Sequence, residues 1–114
     1  MKRNATASLL PSLESPLKRL GQHLRAARQS RRWTIAEAAA RVVTSTGTYK
    51  RLEAGDPSVS VGTWASALMQ MQMLDAVVAA TAPAADRLGE TLRAQTAIKR
   101  VRKPKAKDDA RYDF

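Results

Sequence analysis

A chain of 114 residues with 44% hydrophobic side chains can build one small core and not two. Its 20 Lys and Arg against 10 acids leave a formal net charge of +10, a balance that attracts polyanions, nucleic acid first among them, although a solvated basic surface has the same composition. The chain has no cysteine, which excludes a disulfide framework, and it has no metal-ligand cluster, P-loop, GxSxG or HExxH spacing of the kind that marks an enzyme or a cofactor site.

Residues 1–15 mix Ser, Thr, Pro and Ala without periodicity and read as a flexible tail. The apolar run after Lys2 and Arg3 breaks at Pro11 and Ser12, too early for a secretory leader, so a cytoplasmic, nucleoid-associated location is expected. From Pro16 onward, Leu17, Leu20, Leu24 and Ala27 recur at helical spacing and predict a first amphipathic helix ending near Ser30. Thr34 with Glu37 three residues on makes a capping box, after which Ile35, Ala38, Ala39 and Val42 share one face. Thr44 and Ser45 supply the next cap, Thr48, Tyr49 and Leu52 a second stripe, and Gly55 stands where a left-handed terminator belongs. Two short helices joined by a tight turn are the means by which a protein presents a helix to the major groove of DNA.

Asp56-Pro57-Ser58 reads as a loop, and Ser60 caps a fourth helix whose inward side is expected to be Val61, Trp64, Ala65 and Leu68. A fifth helix contains Leu74, Val77 and Val78. Residues 58–85 carry a single charge, Asp75, yet their Gln, Thr, Ser and Pro residues are too polar and too breaking for a membrane span. Surplus apolar surface on Trp64, Met69, Met71, Met73, Leu74 and Val78 predicts a homodimer, with ordinary core as the other reading. Pro83 interrupts the pattern, and a short helical extension over 83–98 carries Asp86, Arg87, Leu88, Leu92 and Arg93. Six bases in the nine residues 99–107 cannot bury apolar area and predict a flexible basic tail over 99–114. The whole is all-α: a five-helix domain over 16–82, an extension and two tails.

These residues resemble the five-helix DNA-binding domain of the Xre/Cro and lambda-repressor family from about Leu17 to Val78. Glu37 after the second-helix cap, Ser45 opening the recognition helix and Leu52-Glu53-Ala54-Gly55 closing it carry the likeness. Residues 56–63, Asp-Pro-Ser-Val-Ser-Val-Gly-Thr, are similar to the loop and fourth-helix start of the HipB-type antitoxin subgroup. The family usually has Gln where Ile35 stands, which removes one phosphate clamp, and Gly where Val43 stands. A β-branched residue there predicts a slightly reshaped turn. The resemblance also implies a structural ion pair between Arg28 and Glu53.

Base reading is expected from the exposed side of the third helix. Thr46, Thr48, Lys50 and Arg51 stand there, Gly47 permits close backbone approach, and Thr44 and Ser45 serve as phosphate and cap residues. Lys50 and Arg51 touching only phosphates is the competing reading. For Arg31, Arg32 and Arg41 the spacing leaves phosphate contact and a solvated face equally open. His23, alone in a helix without an acid or nucleophile, suits a surface role better than catalysis, and no enzyme activity or cofactor is expected. The HipB-type likeness implies, beside a double-stranded operator, a HipA-like serine/threonine kinase toxin as partner. Tyr112 and Phe114 are candidate anchors for that partner. A stand-alone phage or chromosomal repressor, and an inhibitor module that no longer reads DNA, are the alternatives.

Overall fold

A computed structural model describes residues 11–102, and among these every regular element is helical. In chain order they are α1 (Pro11–Ser30), α2 (Ile35–Val42), α3 (Thr46–Glu53), α4 (Val61–Gln70), α5 (Leu74–Ala80), a 3₁₀ turn (Pro83–Ala85) and α6 (Arg87–Arg102). The described residues fall into two compact units, divided between Asp75 and Ala76.

α1 begins at Pro11, five residues before the predicted start, so 11–15 are helix and not tail. Near the start of the described helix Glu14 pairs with Lys18 one turn on at 3.2 Å. Pro16 lies inside the helix and forfeits one backbone bond. The inward stripe also differs from the expected one. Gly21, Leu24 and Ala27 are buried, whereas Leu20 is 50% exposed.

The capping box opening α2 is complete: Thr34 Oγ1 accepts from the Glu37 N–H at 3.0 Å, and Glu37 Oε1 accepts from the Thr34 N–H at 3.2 Å. Ala38, Ala39 and Val42 are buried, with Ile35 packed beside them. Ile35 thus serves the core in place of a phosphate contact. Ser45 caps α3 by accepting from the Thr48 N–H at 3.1 Å, while the Thr44 N–H instead closes α2 on the Ala39 carbonyl at 3.0 Å. Tyr49 and Leu52 enter the core with no exposed surface.

In α4 the inward stripe runs through Trp64, Ala67 and Leu68 to the C-cap Met71, and the predicted Val61, on the same side but in the first turn, is 84% exposed. The core is built of Leu24, Ala27, Ala38, Ala39, Val42, Tyr49, Leu52, Val59, Ala67 and Met71. Four alanines among them let the helices approach closely. Much of the predicted surplus apolar surface is therefore core: Met71 is fully buried, and Trp64 and Met73 pack against it. Met69 and Val78 remain more than half exposed.

One device ends each of the first four helices. The chain passes through a left-handed residue, Arg32, Val43, Gly55 or Gln72, whose N–H and that of the next residue bond back to the last turn. Only one of the four is glycine. At Val43, with φ 62° and ψ 53°, the turn is not reshaped; it keeps its geometry and the β-branched side chain carries the strain at 88% exposure. Val43→Gly should therefore raise stability by about 1 kcal/mol, read as a higher urea midpoint at unchanged m. An unchanged or lower midpoint would contradict the strain.

In the second unit Asp86 Oδ1 accepts from the Gly89 N–H at 3.0 Å, which starts α6, and Arg93 donates to the Pro83 carbonyl at 3.1 Å. α6 runs to Arg102, past the predicted end at 98, since no glycine or proline interrupts residues 90–102. The rest of the predicted tail, with Tyr112 and Phe114, lies outside the described residues.

Candidate nucleic-acid interface

The N-terminal half of α3 is open. Ser45, Thr46, Gly47, Lys50 and Arg51 are exposed, Thr44 and Thr48 half-buried, and a side chain built at Gly47 would meet nothing within 4 Å. Opposite them Tyr49 and Leu52 are sealed in the core. This two-sidedness follows from the helical repeat, since 49 and 52 stand three apart on one side and 46, 47, 50 and 51 fall on the other.

A hydroxyl relay orders the exposed side. Ser45 Oγ donates to Thr48 Oγ1 at 3.0 Å, and Arg51 Nη2 donates to the same Thr48 oxygen at 3.2 Å. Arg51 has five N–H donors in a planar fork, so this tether steers the guanidinium and leaves an edge for a bidentate acceptor. Asp56 stands in the loop beyond. Its Oδ1 accepts from the Ser58 N–H at 2.8 Å, which with the Arg51 charge holds this carboxyl below its usual range. Thr48 is thus a positioning residue for Arg51 at least as much as a surface of its own.

Behind α3, Arg28 Nε donates to Glu53 Oε2 at 2.7 Å, Nη2 to Oε1 at 3.2 Å, and Nη1 to the Trp33 carbonyl at 3.0 Å. The two side chains are only 11% and 8% exposed. The bidentate bond to Glu53 raises the Arg28 pKa further, so the guanidinium stays charged. Tyr49 lies against it with its hydroxyl unbonded; burial, then the Glu53 carboxylate, pushes that phenol far above its ordinary range and keeps it neutral.

Close backbone contact completes the mounting. A Cβ on Gly21 would collide with the Glu53 carbonyl and stand 2.9 Å from the Gly55 nitrogen, and one on Gly55, at φ 77°, would strike the backbone of Leu17 and Lys18. Gly21 escaped the sequence reading. Its signal was a glycine on the apolar stripe of a helix, which marks a close backbone approach.

Of the three flanking arginines, Arg31 is committed within the protein: it donates to the Ala27 carbonyl at 2.9 Å and the Met71 carbonyl at 2.8 Å, tying α1 to the end of α4. Arg41 lies 4.4 Å above the centre of the Trp33 ring, a cation–π contact that leaves its side chain at the surface, and Arg32 is exposed. Ser66 adds a bond to the Val42 carbonyl at 3.0 Å, fixing the end of α2. Two helices are thereby held with a four-residue spacing from Val42 to Thr46, the second sealed on one side and polar on the other.

The helix-turn-helix domain family matches residues 19–81, more than half of the chain. The chain belongs to that family. No curated protein and no solved structure matches it. As a member of a DNA-binding family, the helix-turn-helix domain places α2 and α3 as its paired helices and α3 as the one with an open polar side. No described helix is long and apolar enough to cross a membrane, and among the described residues no three potential metal ligands gather.

Proposed function

We propose that this protein is a sequence-specific transcriptional repressor that reads duplex DNA with α3. The observation carrying the proposal is the division of that helix: Tyr49 and Leu52 are locked into the core while Thr46, Gly47, Lys50 and Arg51 face outward, with Arg51 tethered on Thr48. Arg51 takes a guanine O6/N7 edge, Thr46 and Lys50 adjoining bases or phosphates, and Ser45 a phosphate.

Arg51→Ala is expected to cost about 1–3 kcal/mol against the preferred duplex, relax the preference at one base pair and leave the melting curve unchanged. Duplexes selected from a randomised pool, with the region upstream of the gene footprinted alongside, provide the measurement. Equal preference in parent and variant would overturn the assignment of Arg51, and the absence of any footprint with the parent would favour the inhibitor module.

A single α3 reads few base pairs, so the proposal includes a homodimer placing two such helices about 34–36 Å apart. The exposure of Met69 and Val78 supports it. The finer assignment, to the antitoxin of a HipA-like kinase operon in the cytoplasm, is supported by the likeness of residues 56–63 to HipB-type repressors. Copurification of a kinase from the native host tests it. Operator binding without any kinase would make the protein a stand-alone repressor.

A further inference from the structure

The positive charge is not confined to the helix-turn-helix. Residues 87–107 hold eight bases and one acid, Glu90, a local net charge of +7 that the flanking Asp86, Asp108, Asp109, Asp113 and Arg111 reduce to +4 over residues 83–114. Five of those bases, Arg87, Arg93, Lys99, Arg100 and Arg102, belong to α6.

α6 has no side suited to a protein groove. With about 3.6 residues per turn, Leu88 and Leu92 stand together while Ile98 and Val101 point roughly 120° or more away from Leu92, so no continuous apolar stripe forms. All four are more than half exposed, and of residues 87–101 only Gly89 is even partly covered. On the same wheel Arg87, Arg93, Lys99 and Arg100 leave no direction more than about 60° from a positive charge. A helix of that kind discriminates poorly among protein surfaces but presents cations to a polyanion whatever its rotation. Lys99, Arg100 and Arg102 also sit at the negative end of the helix dipole, which offsets part of their mutual repulsion.

We propose that α6 is a second DNA-contacting element, a sequence-independent arm that neutralises backbone phosphates of the duplex engaged by α3. The inference rests on the operator-binding reading. Being covalently joined to the reading domain, the arm meets the duplex at a high effective concentration, so weak contacts suffice. It adds affinity and no preference, since phosphates carry no sequence.

The test uses the full chain with Arg87, Lys99 and Arg102 replaced by Gln; Arg93, which bonds Pro83, and Arg100 are left in place. Affinity is followed against salt on a duplex selected from a random pool and on an unrelated duplex of equal length. The log–log slope is expected to become shallower by about two to three on both, at about 0.9 per phosphate, with the ratio between the duplexes kept within about twofold. An unchanged slope overturns the arm. A second readout does not depend on charge: the chain has no cysteine, so Ala97→Cys carries an iron chelate at one place on α6. Backbone cleavage outside the α3 footprint is expected, and an uncut duplex overturns the proposal. Stronger competition by single-stranded RNA of equal length than by duplex also overturns it, in favour of RNA. Arg51→Ala in the same assays reports on the operator reading alone: it should narrow the ratio between the duplexes by roughly 5- to 150-fold while the slope and the α6 cleavage persist, and a ratio already absent in the parent would sink the operator reading without touching the slope.

Discussion

Gly21→Ala should destabilise the domain by about 3 kcal/mol, a fall of roughly 12 °C or more in Tm, even though alanine is the better helix former. The new methyl has nowhere to go. It would meet the carbonyl of Glu53 and the nitrogen of Gly55, and these are backbone atoms at the end of α3 that cannot rotate away as a side chain would. Separating α1 from α3 to admit it would also open the contacts of Leu24 and Leu52 in the core. Gly47→Ala is the matched control, because open space surrounds that position and stability there should be unchanged or raised. Thermal melting of the two variants side by side checks the argument; equal melting points would mean that α1 and α3 are not in backbone contact.

Arg28→Ala is expected to cost about 3–5 kcal/mol, because it leaves the Glu53 carboxylate and the Trp33 carbonyl enclosed without a donor. Its two partners belong to different segments, the end of α3 and the entry to α2, so the loss loosens the mounting of both paired helices. The bond to each is short, and little water reaches either side chain. Replacing Arg28 by Met together with Glu53 by Leu should recover much of the loss, since an apolar pair strands no charge. Denaturant titration gives the three values needed for the comparison. If Arg28→Ala melted with the parent while duplex binding disappeared, the guanidinium would be a DNA ligand and not a strut.

The capping residues made the helix starts legible. Thr34, Ser45 and Ser60 each announce a helix by a side-chain oxygen followed three residues later by the N–H it accepts, a relation that is local and so survives in sequence. Helix ends were harder. Gly55 marked one, but Arg32, Val43 and Gln72 adopt the same left-handed conformation with side chains that give no such signal. The α1 stripe was misjudged for a similar reason, since hydrophobicity favours Leu20 where the fold needs the smallness of Gly21. On α3 the division between Tyr49 and Leu52 inside and Lys50 and Arg51 outside follows from periodicity alone. The tether of Arg51 on Thr48 and the inward commitment of Arg31 depend on three-dimensional neighbours, and no spacing encodes them.

If α3 reads DNA as proposed, its mounting bears on how a duplex must be met. Its far end is gripped by Arg28, wedged by two glycines against α1 and filled beneath by Tyr49 and Leu52, so the eight-residue helix has no slack in which to tilt. Such a probe behaves as a fixed gauge. On that reading any mismatch between its pitch and the groove would fall on the nucleic acid, as a bend or a change of groove width, and the ease with which a given base sequence deforms would become part of what is recognised at positions no side chain touches.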